Sequence, residues 1–175
     1  MKTLIKNGLV VDPANLVQTH LNLLLEDGKI VAVTEEELEA DRVIDAAGKV
    51  VAPGFIDIHM HEDPVKDDKI QFCIFDAMLR MGVTTAVGGN CGINVYDPVK
   101  YLDLLERDGA PVNVMMFAGH QYYREAAGAL DKYSPVTEEQ RKMMKKGLEE
   151  ALEAGCVGIS YGLRYVPGTG REDLR

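Results

Sequence analysis

Two histidines one residue apart, His59 and His61, follow a short β-rich run that begins at Gly54. In an extended chain residues i and i+2 share a face, so both imidazoles aim into one space. Neutral imidazole suits zinc and similar divalent ions. Asp57 precedes the pair, and Glu62 and Asp63 follow it. Cys91 lies in Gly88-Gly89-Asn90-Cys91-Gly92, directly after the next apolar run. Its glycines permit positive φ and close backbone approach, so the loop can present one thiolate, a form that a bound metal enforces. Alone, the pair reads as two surface histidines and Cys91 as a turn cysteine that packs; together they read as three metal ligands that converge on one site.

The other candidates are weaker. His120, in Phe117-Ala118-Gly119-His120, follows a third apolar run and either serves the site or satisfies a backbone carbonyl. Arg164 stands between Tyr161 and Tyr165 in a loop after a fourth run, where a guanidinium could bind a substrate carboxylate. Cys73, on a helical apolar face, and Cys156, at the start of a buried run, read as core, and His20 falls in a polar turn without a role. No GK[ST] element, complete GxGxxG or GxSxG elbow is present, which removes the main support for nucleotide binding or serine hydrolysis.

The elements that must carry these residues fall into two grammars. Up to about residue 53, short β-rich runs (Thr3 to Ile5, Leu9 to Val11, Leu21 to Leu25, Lys29 to Val33, Arg42 to Asp45) alternate with turns. Asp27-Gly28 between two of them is a two-residue hairpin signal, and the region reads as a small antiparallel sheet. From Val50 onward, continuous apolar runs alternate with helical periods, the pattern of βα units around a buried parallel sheet. Strands are expected at Gly54 to His59, Val83 to Gly88, Val112 to Ala118 and Cys156 to Ile159. Helices are expected over Lys69 to Met81, from Pro98 to Asp108 with Asp97 as cap, and from a Thr137–Gln140 capping box to Gly155. A closed (β/α)8 barrel takes about 250 residues, so the roughly 125 here supply an open α/β sheet or the first half of a barrel.

The 175 residues are 46% apolar and 27% charged, a globular balance. A net charge of −9 repels phosphate backbones and anionic lipid, so neither nucleic acid nor membrane is an expected partner. The N-terminal apolar stretch is broken by Lys6, Asn7 and Gly8, no run reaches transmembrane length, and the three cysteines match no disulfide framework. These features read as a cytoplasmic protein.

The run Val51-Ala52-Pro53-Gly54-Phe55-Ile56-Asp57-Ile58-His59-Met60-His61 resembles the opening of the amidohydrolase superfamily, and the β-rich segment before it resembles that superfamily's contribution to a small β-sandwich. GGNCG at 88–92 and GISYGLRYVPG at 158–168 resemble its N-acyl-D-amino-acid deacylase, or D-aminoacylase, branch. The resemblance implies residues 1–53 as part of a β-sandwich domain and 54–175 as the first four strands and three helices of a metal-dependent TIM barrel. It implies one or two divalent ions, zinc foremost, on His59, His61 and Cys91. Many relatives instead use a carbamylated lysine on the fourth strand, and Cys156 to Ser160 holds no lysine. Tyr165 matches a family tyrosine near the substrate carboxylate, and His120 falls in a Gly-His element the family also carries. The family's later metal histidines and its catalytic aspartate fall beyond residue 175; Asp57 and Asp63 do not match that aspartate by position.

The expectation is therefore the N-terminal portion of a metal-dependent hydrolase of a linear amide, a small-molecule N-acyl-D-amino acid, with the 175-residue piece alone inactive. The alternatives are another amidohydrolase (hydantoinase, dihydroorotase-like enzyme or deaminase) and an inert metal-binding assembly module whose half-barrel closes its sheet against another chain. A homo-oligomer is compatible with each.

Overall fold

The computed structural model describes residues 1–131 and 134–165. The chain divides into two compact units, Met1–Pro53 and Gly54–Arg175.

The first unit is a sheet in the order β3-β2-β1-β4, with β5 also paired to β1. Its strands are β1 (Lys2–Asp12), β2 (Val17–Glu26), β3 (Lys29–Thr34), β4 (Arg42–Asp45) and β5 (Val50–Val51). Two of the expected runs fuse: Thr3 to Ile5 and Leu9 to Val11 belong to one strand, because Lys6-Asn7-Gly8 forms an irregularity in the ladder and not a turn. Asn7 adopts φ 66° there, a conformation asparagine tolerates. The sheet is also mixed. β1 to β3 are antiparallel, but the loop after β3 returns the chain to the far side of β1, so β4 and β5 run parallel to it. The Asp27-Gly28 turn has φ 49° and 77°, the two positive values a tight hairpin requires. His20 lies within β2 opposite Leu9, not in a turn. Leu4, Val10, Leu23, Leu24 and Ala46 are its buried apolar residues.

The second unit is a four-stranded parallel sheet in the order β11-β10-β9-β6. Its strands are β6 (Phe55–Asp57), β9 (Val83–Gly88), β10 (Asn113–Gly119) and β11 (Gly158–Ser160). A short hairpin, β7 (Val65–Lys66) and β8 (Lys69–Ile70), and the helix α1 (Ile74–Arg80) connect β6 to β9. The helix α2 (Pro98–Asp108) leads to β10, and α3 (His120–Ala126) and α4 (Glu138–Glu153) lead to β11. The sheet is the curled half of a TIM barrel, and every C-terminal strand end lies on one rim. Phe75, Met78, Tyr101, Leu104, Ala86, Met116, Ala118, Met144 and Ala151 form the core between helices and sheet. No described helix is long and apolar enough to cross a membrane.

Local chemistry explains which elements the sequence announced. Asp97 accepts from the Lys100 N–H at 3.0 Å with Pro98 at the first helical turn, so α2 starts where expected. Thr137 and Gln140 form the reciprocal capping box that starts α4. The expected helix over Lys69 to Met81 is shorter. Its first residues form the hairpin, with Asp67 and Asp68 at φ 50° and 57°. The helix begins later because the Asp63 carboxylate accepts from the N–H groups of Cys73, Ile74 and Phe75 at 3.1, 2.7 and 3.0 Å. Cys73 is accordingly an exposed N-cap residue and not core, and its thiol donates to Asp63 Oδ1 at 2.9 Å. Cys156 is buried, which pushes its thiol up to about 11. The helix α3 was not foreseen: it is a single short stretch after Gly119 with no side-chain cap.

Candidate metal centre

The chain turns immediately after β6, where Asp57 Oδ1 accepts from the His59 N–H at 3.0 Å. Alternation then separates the next residues. Met60 is buried and its N–H reaches Val87 O at 3.4 Å, while His59 and His61 stay exposed with ring centroids 6.3 Å apart at 78°.

After β9 the backbone makes one tight 3₁₀ turn, Asn90–Gly92, that carries Cys91. Gly89 precedes it at φ 72°, and a Cβ there would sit 2.1 Å from Phe117 O, so only glycine allows the loop to press against β10. Cys91 is itself left-handed, at φ 60° and ψ 19°, an uncommon state for a residue with a Cβ. The Asn90 side-chain amide donates to Val87 O at 2.7 Å and Met60 O at 3.4 Å, tying this loop to the histidine strand end.

The result is a cluster. Cys91 Sγ lies 3.3 Å from His59 Nε2, and the ligand atoms of His59, His61 and Cys91 all fall within 4.8 Å of one another. Zinc holds nitrogen at about 2.0 Å and sulfur at about 2.3 Å, so two ligands at tetrahedral corners stand about 3.5 Å apart. The donor set and spacing therefore fit one zinc-like ion.

The flanking carboxylates do not join the ligands. Asp63 is buried and caps α1; burial works against its charge, yet the Cys73 thiol and the three backbone donors hold it below the usual carboxylate range. Glu62 turns inward, where burial pushes its carboxyl up despite the Asn94 amide donating to Oε1 at 2.8 Å. Asn94 also donates to Phe117 O at 3.1 Å and accepts from the Gly119 N–H at 2.7 Å, so one side chain joins Glu62 to the end of β10. Neither Asn94 nor Ser160, which bonds the Cys91 loop, was singled out from sequence. Their partners are distant along the chain and their residue types are common in loops.

The substrate-side candidates sit on the same rim. His120 opens α3, is 2% exposed and meets the Tyr161 ring at a 39° tilt with centroids 5.2 Å apart. Burial, and then the Arg124 charge, holds its imidazole below the ordinary histidine range. It lines a cleft of about 370 Å³ with Tyr161, Ile159 and Met144, Lys145, Leu148 and Glu149 of α4. Gly162 approaches the Cys91 loop so closely that a Cβ would meet Cys91 O at 1.8 Å and Tyr165 Cδ2 at 2.7 Å. The Tyr165 N–H donates to Gly162 O at 2.9 Å, which places its half-exposed ring beside that loop; Arg164 is exposed in the same turn. Val166, Pro167 and Gly168 of the quoted motif lie outside the described residues.

Known proteins resemble the chain in sequence and fold. The chain is 33% identical over 187 residues to the N-acyl-D-glutamate deacylase of Alcaligenes xylosoxydans xylosoxydans, an alignment that takes in 94% of this chain and 38% of that one. The crystal structure of N-acyl-D-glutamate deacylase from Bordetella bronchiseptica, complexed with zinc and a phosphonate inhibitor that mimics the tetrahedral intermediate, superposes with a TM-score of 0.84 at 30% identity. That match covers 98% of this chain and 41% of the deacylase. A D-aminoacylase described for its binuclear metal centre gives 0.86 at 28% identity, with the same coverage. The chain thus spans about two fifths of the length of the proteins it matches. The amidohydrolase family model matches residues 42–164, from β4 through His59, His61 and Cys91 to Arg164. With a half-barrel whose first two strand ends bring His59, His61 and Cys91 together, the chain belongs to the amidohydrolase family.

Proposed function

We propose that this chain is the N-terminal part of a metal-dependent hydrolase that removes the acyl group from N-acyl-D-amino acids, with zinc as its metal and the cytoplasm as its place of work. The observation that carries the reading is the three-ligand cluster of His59, His61 and Cys91. The relatives and solved structures at about 30% identity, deacylases of D-amino acids, supply the substrate class.

When bound, a divalent ion supplies a Lewis acid and a water whose pKa falls to about 7. The chain's own residues hold and orient. His59, His61 and Cys91 fix the ion at the rim, with Asp57 setting the His59 backbone and Asn90 the loop of Cys91. Arg164 and Tyr165, in the turn that leans on that loop, take the substrate carboxylate through a charge-assisted hydrogen bond. The neutral imidazole of His120 accepts or donates one hydrogen bond at the cleft edge without carrying charge into it. The proton shuttle to the leaving amine falls to a carboxylate beyond residue 175.

The test is a substrate panel on the full-length protein: N-acetyl-D-amino acids, their L forms, cyclic imides and aminopurines. D-selective deacetylation abolished by a chelator is the expected result. Turnover of imides or aminopurines instead would move the protein to a hydantoinase-, dihydroorotase- or deaminase-like activity. Retained metal with no turnover would favour an assembly module.

A further inference from the structure

Cys91 occupies a backbone conformation that its own side chain disfavours, so something must hold it there. Gly89 opens the turn, the Asn90 amide anchors its first half to Val87 O, and the Ile93 N–H closes it by donating to Asn90 O at 3.0 Å. The only side chain that bonds both flanks of the turn among the described residues comes from β11. Ser160 Oγ accepts from the Gly92 N–H at 2.9 Å and donates its own hydrogen to Gly89 O, residues 68 and 71 positions earlier in the chain. A hydroxyl has one donor and two acceptor lone pairs, and here it uses both functions on the two flanks of one short loop. The bracket encloses Asn90 and Cys91 alone. Carbonyl and N–H are thereby satisfied in the arrangement that sets Sγ 3.3 Å from His59 Nε2.

We propose that Ser160 is a positioning residue for the metal centre: its hydroxyl bridges Gly89 O and the Gly92 N–H and so fixes Cys91 in the left-handed turn that delivers the thiolate. The role belongs to the fourth parallel strand of the sheet although that strand contributes no ligand of its own. It deepens the metal-centre reading and rests on it. Groups that orient a ligand without touching the ion commonly change metal affinity by about 10- to 100-fold, which sets the expected scale.

The test uses the full-length protein, stripped of metal by chelation and titrated with Co²⁺, whose thiolate charge-transfer absorption reports the cysteine bond directly. Ser160→Thr and Ser160→Val share one shape and differ only in the hydroxyl, and Ser160→Ala removes it without added bulk. Thermal melts of the metal-free proteins confirm that each is folded. Wild type and Ser160→Thr should show the charge-transfer band, while Ser160→Val and Ser160→Ala bind Co²⁺ about tenfold or more weakly with a diminished band. A Ser160→Val protein that matches Ser160→Thr in both band and affinity overturns the role of Ser160 and leaves the metal centre standing. A wild-type protein that binds Co²⁺ without any thiolate band contradicts Cys91 as a ligand, and the role of Ser160 falls with it.

Discussion

Cys91 Sγ and His59 Nε2 stand 3.3 Å apart although 32 residues separate them in sequence. The approach is enforced from three sides: by the Asx turn that sets His59, by the glycines that admit the Cys91 loop, and by Asn90 and Ser160, which bond that loop to neighbouring strand ends. A side-chain pair held by so many independent contacts is preorganised for a shared ligand.

Removing any of the three ligands should therefore empty the site. His59→Asn, His61→Asn and Cys91→Ser in the full-length protein are each expected to lower kcat/KM by at least about 100-fold, more than an outer-shell change would. Metal content per chain should fall in parallel. Elemental analysis beside deacylase kinetics checks this, and full activity with full metal content in Cys91→Ser would remove Cys91 from the site.

Gly89 and Gly28 both have positive φ but meet different surroundings. A Cβ on Gly89 collides with Phe117 O, whereas nothing lies within 4 Å of one on Gly28. Gly28→Ala should cost about 1 kcal/mol of backbone strain, and Gly89→Ala at least about 2 kcal/mol, since the clash adds to it. Denaturant midpoints should rank wild type, Gly28→Ala, then Gly89→Ala. Metal affinity should drop only for Gly89→Ala.

His120 gives the pH dependence a sign. Its folded imidazole is held below the ordinary range by burial and by Arg124, while the unfolded chain takes up a proton near pH 6.5. Below that pH the unfolded state binds more protons than the folded one, so stability is lost as pH falls from about 6.5 toward the lower folded value. Metal-free wild type should melt progressively lower from pH 7 to pH 5, and His120→Gln should show a flatter profile. Equal slopes for the two proteins would contradict a neutral buried imidazole.

Among the described residues no further strand pairs with β6 or β11 at the two edges of the sheet, which bears on the 175-residue chain by itself. Phe55 and Ile56 of β6 are 65% and 66% exposed, Ile58 is 71% exposed, and Val157 beside β11 is 53% exposed. Open edges with apolar side chains pair with other chains. The isolated chain should self-associate in sedimentation experiments and show no deacylase turnover. A stable monomer with activity would contradict the need for the remaining barrel.

Legibility followed the range of the interactions. The Asp27-Gly28 turn, the Asp97-Pro98 start of α2 and the Thr137–Gln140 box are written in adjacent residues, and each appears where the sequence placed it. His59 and His61 were legible from their i, i+2 spacing after an apolar run, although the expected strand to His59 ends at Asp57 and the pair stands in the irregular segment after it. The start of α1 was not, because its cap is Asp63, ten residues before Cys73, and the apolar spacing of Ile70 and Phe72 imitates a continuous helix. Lys6-Asn7-Gly8 reads as a break, yet pairing with β2 carries β1 through it as an irregularity. Ser160 and Asn94 were silent for the same reason on a larger scale: their partners lie on other strands.

The most direct measurement is zinc-edge X-ray absorption on the full-length protein loaded with one equivalent of Zn²⁺. The account predicts one sulfur scatterer at about 2.3 Å together with imidazole nitrogen at about 2.0 Å. The sulfur should vanish in Cys91→Ser and persist in Cys73→Ser and Cys156→Ser. A shell of nitrogen and oxygen alone in the wild-type protein would contradict the metal centre at the core of the account.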